Sequence, residues 1–148
     1  EGWPMGVYTT PITLQDLETN LGELNLCPVI LQSYIPKRLE LRVTVVGENV
    51  FACAIHSQDS DRTKHDWRKY DFTNVRHEIF ELPQDIKDRL LACMRTWGLK
   101  FGAIDMVITP DDRYVFLEVN PAGQWGWIED LTQLPIAEAI ATLLKNGR

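Results

Sequence analysis

Two carboxylates and an amide are spaced so that a hairpin would gather them. Asp105 sits in Gly102-Ala-Ile-Asp-Met-Val-Ile-Thr109, and Glu118 and Asn120 sit in Tyr114-Val-Phe-Leu-Glu-Val-Asn120. Both segments are β-branched and apolar and are bounded by turn formers, so both read as strands. If Asp111-Asp112 is a two-residue turn, Asp105 lies directly opposite Glu118. Asn120, two residues on, shares their face. Like charges opposed across a ladder destabilise it, and a sheet that keeps them has reason to hold a cation between them. Two carboxylates and an amide oxygen suit magnesium, which keeps waters and borrows further ligands from substrate phosphates. The plain alternative is an exposed strand face with two solvated acids.

The elements that must position these groups follow from the pattern upstream. The segment Thr13-Leu-Gln-Asp16 resembles a capping box. Leu14, Leu17, Leu21 and Leu24 follow at helical spacing, which predicts a helix to about Leu24. Residues 28–35 read as a strand stopped by Pro36, and residues 40–46 as a second. Residues 50–57 pair with the second across a turn containing Gly47. Residues 58–66 are polar and aperiodic, the pattern of a mobile loop. A short strand is expected between Val75 and Leu82. A helix should then start at Pro83, carry Ile86, Leu90, Met94 and Trp97 on its apolar stripe, and stop at Gly98. A last helix starts at Pro135. Hairpins with helices packed on one face make the fold class α+β.

Composition narrows the function classes. The chain has 148 residues and a net charge of −6, which suits one domain and argues against a broad nucleic-acid surface. No apolar run approaches the length of a membrane span, and no signal peptide is evident, so a cytoplasmic location is expected. Cys27, Cys53 and Cys93 form no Cys-x-x-Cys pair and fit reduced core residues better than disulfides or a zinc site. His56, His65 and His77 have no ligand spacing.

Four segments together carry a family resemblance. Phe116-Leu-Glu-Val-Asn-Pro121 resembles the metal-binding strand of ATP-grasp ligases, and Asp105 sits upstream as that family's first metal ligand does. Leu31-Gln-Ser-Tyr-Ile-Pro36 resembles the hinge strand that grips adenine, and Glu40-Leu-Arg-Val-Thr-Val-Val-Gly47 the strand after it. Within the family, Gly123-Gln-Trp-Gly-Trp-Ile-Glu129, Ser57-Gln58 and Asp66-Trp-Arg68 are similar to the ribosomal-peptide maturases of the microviridin, or graspetide, type.

The resemblance implies an ATP- and Mg2+-dependent ligase that phosphorylates a carboxylate to an acyl phosphate, which a nucleophile then attacks. The substrate would be a precursor peptide or another carboxylate. Metal would be held by Asp105, Glu118 and Asn120. Gln32, Ser33, Tyr34 and Ile35 would line the nucleotide, with backbone on the adenine edge, and Glu40 would take the ribose hydroxyls. Arg42, on the face of Glu40, and Arg68, at the end of the loop, would act on phosphate charge. The plainer readings are a salt bridge from Arg42 to Glu40 or Glu118, and a solvated surface charge at Arg68. Trp125 and Trp127 would pack behind the metal site or meet a peptide.

The family also places a phosphate-binding lysine upstream of the hinge, and this chain has no lysine before Lys37. Val7-Tyr-Thr-Thr10 resembles the stretch just after the family's glycine-rich flap. Residues 1–148 are therefore expected to be the C-terminal part of an ATP-grasp domain, inactive alone, with an apolar open face on which a homodimer could form. The competing readings are a non-catalytic module that binds nucleotide or peptide, and a ligase for a free amino acid.

Overall fold

The computed structural model describes residues 8–20, 22 and 29–147. Five strands, β1 (Leu39–Val46), β2 (Asn49–Ile55), β3 (His77–Ile79), β4 (Phe101–Ile108) and β5 (Tyr114–Asn120), form one sheet in the order β3-β2-β1-β4-β5. Every neighbouring pair is antiparallel. Four helices accompany it: α1 (Leu14–Asn20), α2 (Gln84–Thr96), α3 (Gly126–Thr132) and α4 (Ile136–Asn146). The α+β class read from the sequence holds.

The helices do not share one face of the sheet, contrary to the sequence reading. Leu41, Val43, Val45, Ala52, Ala54, Ile104 and Met106 point one way and pack with Leu90 and Met94 of α2. Val46, Cys53 and Ile55 point the other way and pack with Ile128 of α3 and Ile136 at the start of α4. The central strand β1 is therefore buried along its whole length. Continuous apolar patterning of that kind marks a strand covered on both sides. Glu40, Arg42 and Thr44 are the polar exceptions within it.

Local chemistry sets the ends of these elements. The Asp16 amide donates to Thr13 Oγ1 at 3.1 Å and the Thr13 amide to Asp16 Oδ2 at 2.8 Å, a reciprocal capping box. Gly98, at φ +67°, follows the C-cap of α2 where no Cβ is tolerated cheaply. The expected extension of α1 through Leu21 and Leu24 lies outside the described residues. The strand expected over residues 28–35 does not form across the described residues 29–35. Unpaired backbone needs a partner strand to stay extended as sheet, and β1 is already flanked by β2 and β4. Ile30 of this segment is 92% exposed and Leu14 of α1 80% exposed.

Residues 58–66 also depart from expectation. A 3-10 turn at Ser57–Asp59 and a second at Trp67–Lys69 bracket them. Ser57, Thr63 and Asp66 are buried. Thr63 Oγ1 donates to the Ser57 carbonyl at 2.7 Å, which pins the loop internally. Its polar residues bond one another, a pattern that hydrophobic periodicity does not register.

A candidate metal and nucleotide face

Asp105 and Glu118 are cross-strand partners, and Asn120 pairs with Ala103 two residues along. The hairpin reaches this register differently from the two-residue turn assumed above. Thr109 bonds the Arg113 carbonyl, and Pro110, Asp111 and Asp112 form a three-residue loop with Asp112 left-handed at φ 59°. Aspartate tolerates that conformation better than most residues. Continued down the ladder, the loop would set Leu117 opposite Asp105. The register shifts between Asp105 and Met106, which pairs with Phe116, so Leu117 is the extra residue of a β-bulge. The bulge turns Glu118 and Asn120 onto the Asp105 face, a recognised use of bulges beside functional sites.

On the other side of β4, Arg42 is the partner of Asp105 and Glu40 the partner of Val107. Arg42 Nη1 donates to Asp105 Oδ1 at 2.8 Å and Nη2 to the Gln124 carbonyl at 2.9 Å. Its guanidinium lies 5.8 Å from the Trp67 ring centroid, and its Nε is buried without a partner among the described residues. The ion pair that the plainer reading gave to Glu40 or Glu118 is instead made to Asp105. One carboxylate of the opposed pair is thus partly neutralised from within the sheet.

Gly123 explains how the loop after Asn120 comes so close. A Cβ there would lie 2.4 Å from the Ala103 Cβ and 2.9 Å from Arg42 Nη2. Gly123→Ala should therefore displace the loop and destabilise the chain by about 1–3 kcal/mol, as overpacking does. Chemical denaturation measures this, and an unchanged midpoint would show that the loop moves aside freely.

Glu40 is 5% exposed. Its carboxyl accepts from Lys37 Nζ and, at 2.7 Å, from Ser57 Oγ. Burial pushes its pKa up from the ordinary carboxylate value, and Lys37 and Ser57 oppose that push. Arg68 is half-exposed and grips Asp66, with Nε on Oδ1 at 2.8 Å and Nη2 on Oδ2 at 2.7 Å. Burial works to raise the Asp66 carboxyl, but the hydrogen bonds from Arg68 and the Thr9 amide outweigh it and hold the pKa low. The Asp66 bond raises the Arg68 pKa further, with Glu118 and Asp105 adding to it through their fields. Arg68 is therefore anchored on Asp66 rather than left as an unattached surface charge, within the field of the two opposed carboxylates.

The sequence-derived residues thus fall into two sets. Glu40, Arg42, Asp105, Glu118 and Asn120 share one sheet face, with Arg68 beside it. Gln32, Ser33 and Tyr34 are exposed on the unpaired segment before β1, and Ile35 is half-buried. A surface hollow of about 430 Å³ lies nearby, lined by Pro36, Thr109, Pro110, Asp111 and Arg113, and does not include the carboxylate pair. Among the described residues no group of three His, Cys, Asp or Glu side chains could close around a metal. Two carboxylates and an amide instead leave coordination positions open, which fits magnesium bound with water and phosphate oxygens better than a protein-caged ion.

Sequence reasoning gave no role to Ser57, Asp66 and Trp67, although their segments carried the resemblance. The signal for Asp66 was its spacing two residues before Arg68, where a cap can also grip the guanidinium. Trp67 lies 5.0 Å from Trp127, and Trp125 and Trp127 both pack against the second core cluster. Cys53 is buried, with its thiol pushed up to about 12 by desolvation, and Cys93 is also free. No helix among the described residues is long and apolar enough to cross a membrane.

Comparison with known proteins agrees with this geometry. A family model described as a RimK-like ATP-grasp domain matches residues 12–144. The macrocyclase MdnC of Microcystis aeruginosa MRC, solved with its precursor peptide MdnA, is 46% identical with a TM-score of 0.81, over 97% of this chain and 44% of that one. An ATP-grasp ligase of Chryseobacterium gregarium, associated with ribosomally made peptides and solved with ADP and a leader and core peptide, is 39% identical with a TM-score of 0.86, over 96% and 43%. The macrocyclase MdnB of Microcystis aeruginosa MRC is 36% identical with a TM-score of 0.62, over 91% and 46%. The chain thus spans less than half the length of these relatives. No curated protein sequence matches it.

Proposed function

Because the chain belongs to the RimK-like ATP-grasp family, we propose that it serves an ATP- and Mg2+-dependent ligase that joins a side-chain carboxylate of a ribosomally made peptide to a hydroxyl or amine. The observation that carries this reading is Asp105 opposite Glu118, with Asn120 on the same face and Arg42 alongside. The similarity to two macrocyclases and to a ligase solved with ADP and peptide supports both the nucleotide and the peptide partner. The share of those chains that it spans supports its being one portion of such a ligase, which we take to be the C-terminal one from the order of its motifs, expected to need the rest of the protein for activity.

A carboxylate is a poor electrophile. In the proposed reaction one carboxylate oxygen attacks the γ-phosphorus, the bond to the β-phosphate oxygen breaks, and ADP leaves. The nucleophile then attacks the acyl phosphate carbon, loses its proton, and expels inorganic phosphate. Asp105, Glu118 and Asn120 would hold magnesium, which when bound neutralises phosphate charge. Arg42 holds Asp105 at the Nη1 distance given above and so orients one ligand before nucleotide arrives. Arg68, already turned by Asp66, adds a fixed positive charge for the anionic acyl phosphate. Glu40 offers an acceptor for the ribose hydroxyls, and the backbone of residues 33–35 offers donors and acceptors to adenine.

The test combines the full-length protein, ATP, magnesium and a short peptide carrying threonines and acidic residues. One ADP and one phosphate should appear per bond, with the peptide losing the mass of one water each time. Hydroxylamine should divert the activated carboxylate to a hydroxamate. Release of AMP and pyrophosphate would overturn the acyl phosphate, and modification of a free amino acid but no peptide would overturn the substrate class.

A further inference from the structure

Glu40 is held by one oxygen only. Lys37 Nζ and Ser57 Oγ both donate to Oε1, and among the described residues no hydrogen bond reaches Oε2. The two donors come from different segments. Lys37 belongs to the segment before β1, with its side chain only 8% exposed, and also donates to the His65 carbonyl at 3.2 Å. Ser57 starts the loop after β2 and accepts from Gln58 Nε2 at 3.2 Å, while that same nitrogen reaches the Lys64 carbonyl at 3.1 Å. The ring of Tyr34 meets that of His65 edge-on at 6.1 Å. One carboxylate oxygen therefore joins three segments: residues 34–37, β1 and the loop from Ser57 to His65.

A carboxylate has about four acceptor sites. One that only closed a structural ion pair would gain by sharing both oxygens with its donors, as the Arg68–Asp66 pair does. Here the donors crowd one oxygen and leave the other for something else. Lys37 also supplies the charge without which a buried Glu40 would be costly to keep ionised.

We propose that Lys37 and Ser57 are positioning residues that fix Glu40 by Oε1 and aim Oε2 at a ribose hydroxyl, so that this pair sets the preference of the site for ribonucleotides over deoxyribonucleotides. The inference rests on the assignment of Glu40 to the ribose made above, and it adds to that assignment the source of its selectivity. A rigid acceptor rewards the hydroxyl and penalises its absence, because the acceptor is then left desolvated and unpaired. A carboxylate free to turn would lose that discrimination while still tolerating both sugars.

The experiment measures KM and kcat for ATP, 2′-deoxy-ATP and 3′-deoxy-ATP in the full-length protein and in Lys37→Met, Lys37→Arg and Ser57→Ala. Wild-type protein should prefer ATP over at least one deoxy analogue by about 10-fold or more in kcat/KM. Ser57→Ala should reduce that ratio several-fold, Lys37→Met should bring it close to one, and Lys37→Arg should largely restore it. The changes should appear in KM for ATP, with kcat nearly kept. Circular dichroism and thermal unfolding establish that each variant folds, and Ser57→Ala carries the test if Lys37→Met does not. A wild-type ratio near one for both analogues would overturn the ribose assignment itself. A large wild-type ratio that survives in Ser57→Ala and Lys37→Met, or equal losses for all three nucleotides, would leave that assignment standing and overturn the positioning role.

Discussion

Glu118→Gln should abolish ATP-dependent turnover in the full-length protein while the fold survives. The side chain is exposed on the edge strand β5 and makes no hydrogen bond or ion pair among the described residues. Its replacement by an amide of the same shape should therefore change stability within about 0.5 kcal/mol. What it loses is a negative charge opposite Asp105, in a site with only two carboxylates to offer a divalent cation. Even residues behind a metal's direct ligands cost about 10–100-fold in metal affinity or activity when mutated, so a direct ligand should cost at least about 100-fold. Raised magnesium should recover part of the loss by mass action. Initial rates across a magnesium titration, paired with a thermal melt, separate the outcomes. Turnover near wild type at low magnesium would remove Glu118 from the metal site.

Arg42→Met should have the largest effect on stability of any change at the site, a loss of about 3–5 kcal/mol, the scale for removing one partner of a buried ion pair. Arg42 is 7% exposed, and both of its bonds run inside the protein, to Asp105 and to the Gln124 carbonyl. Its removal strands a largely buried carboxylate and unlatches the loop after Asn120. Arg42→Lys keeps the charge but cannot span both acceptors, since an ammonium is a single point where the guanidinium is a fork, and it should recover only part of the loss. Urea denaturation of the three proteins measures this. A loss below about 1 kcal/mol in Arg42→Met would mean that Asp105 finds water or another cation, and that Arg42 does not hold the ligand strand.

The division between sequence and structure is visible in the hairpin itself. Alternation placed Asp105 and Glu118 on strands, and an assumed two-residue turn at Asp111-Asp112 set them opposite each other, the pairing that the structure has. The turn assumed was nevertheless one residue too short, and the bulge at Leu117 supplied the compensating residue. A bulge has no signature in hydrophobic pattern, since its extra residue is one more apolar position in an apolar run. The capping box of α1, the stripe of α2 at Ile86, Leu90 and Met94 and the start of α4 at Pro135 were similarly legible, each being a matter of residues three or four apart, whereas Trp97, expected on that stripe, is the half-exposed C-cap beyond the helix.

Partner choice was decided elsewhere. Arg42 and Asp105 are 63 residues apart in the chain, and only the pairing of β1 with β4 brings them together. Equally, α2 and the pair α3 and α4 lie on opposite faces of the sheet because each of β1's two apolar sets needed its own cover, and that follows from which strand ended in the middle. The segment at residues 29–37 has strand-like composition and no strand, since a ladder requires a neighbour and not merely a propensity. The sequence by itself determined the chemistry available, namely two carboxylates, an amide and their arginines. The tertiary structure determined which charge each of them meets, because electrostatic partnership depends on distance through space and falls away for groups that only adjacent sequence or shared pattern connects.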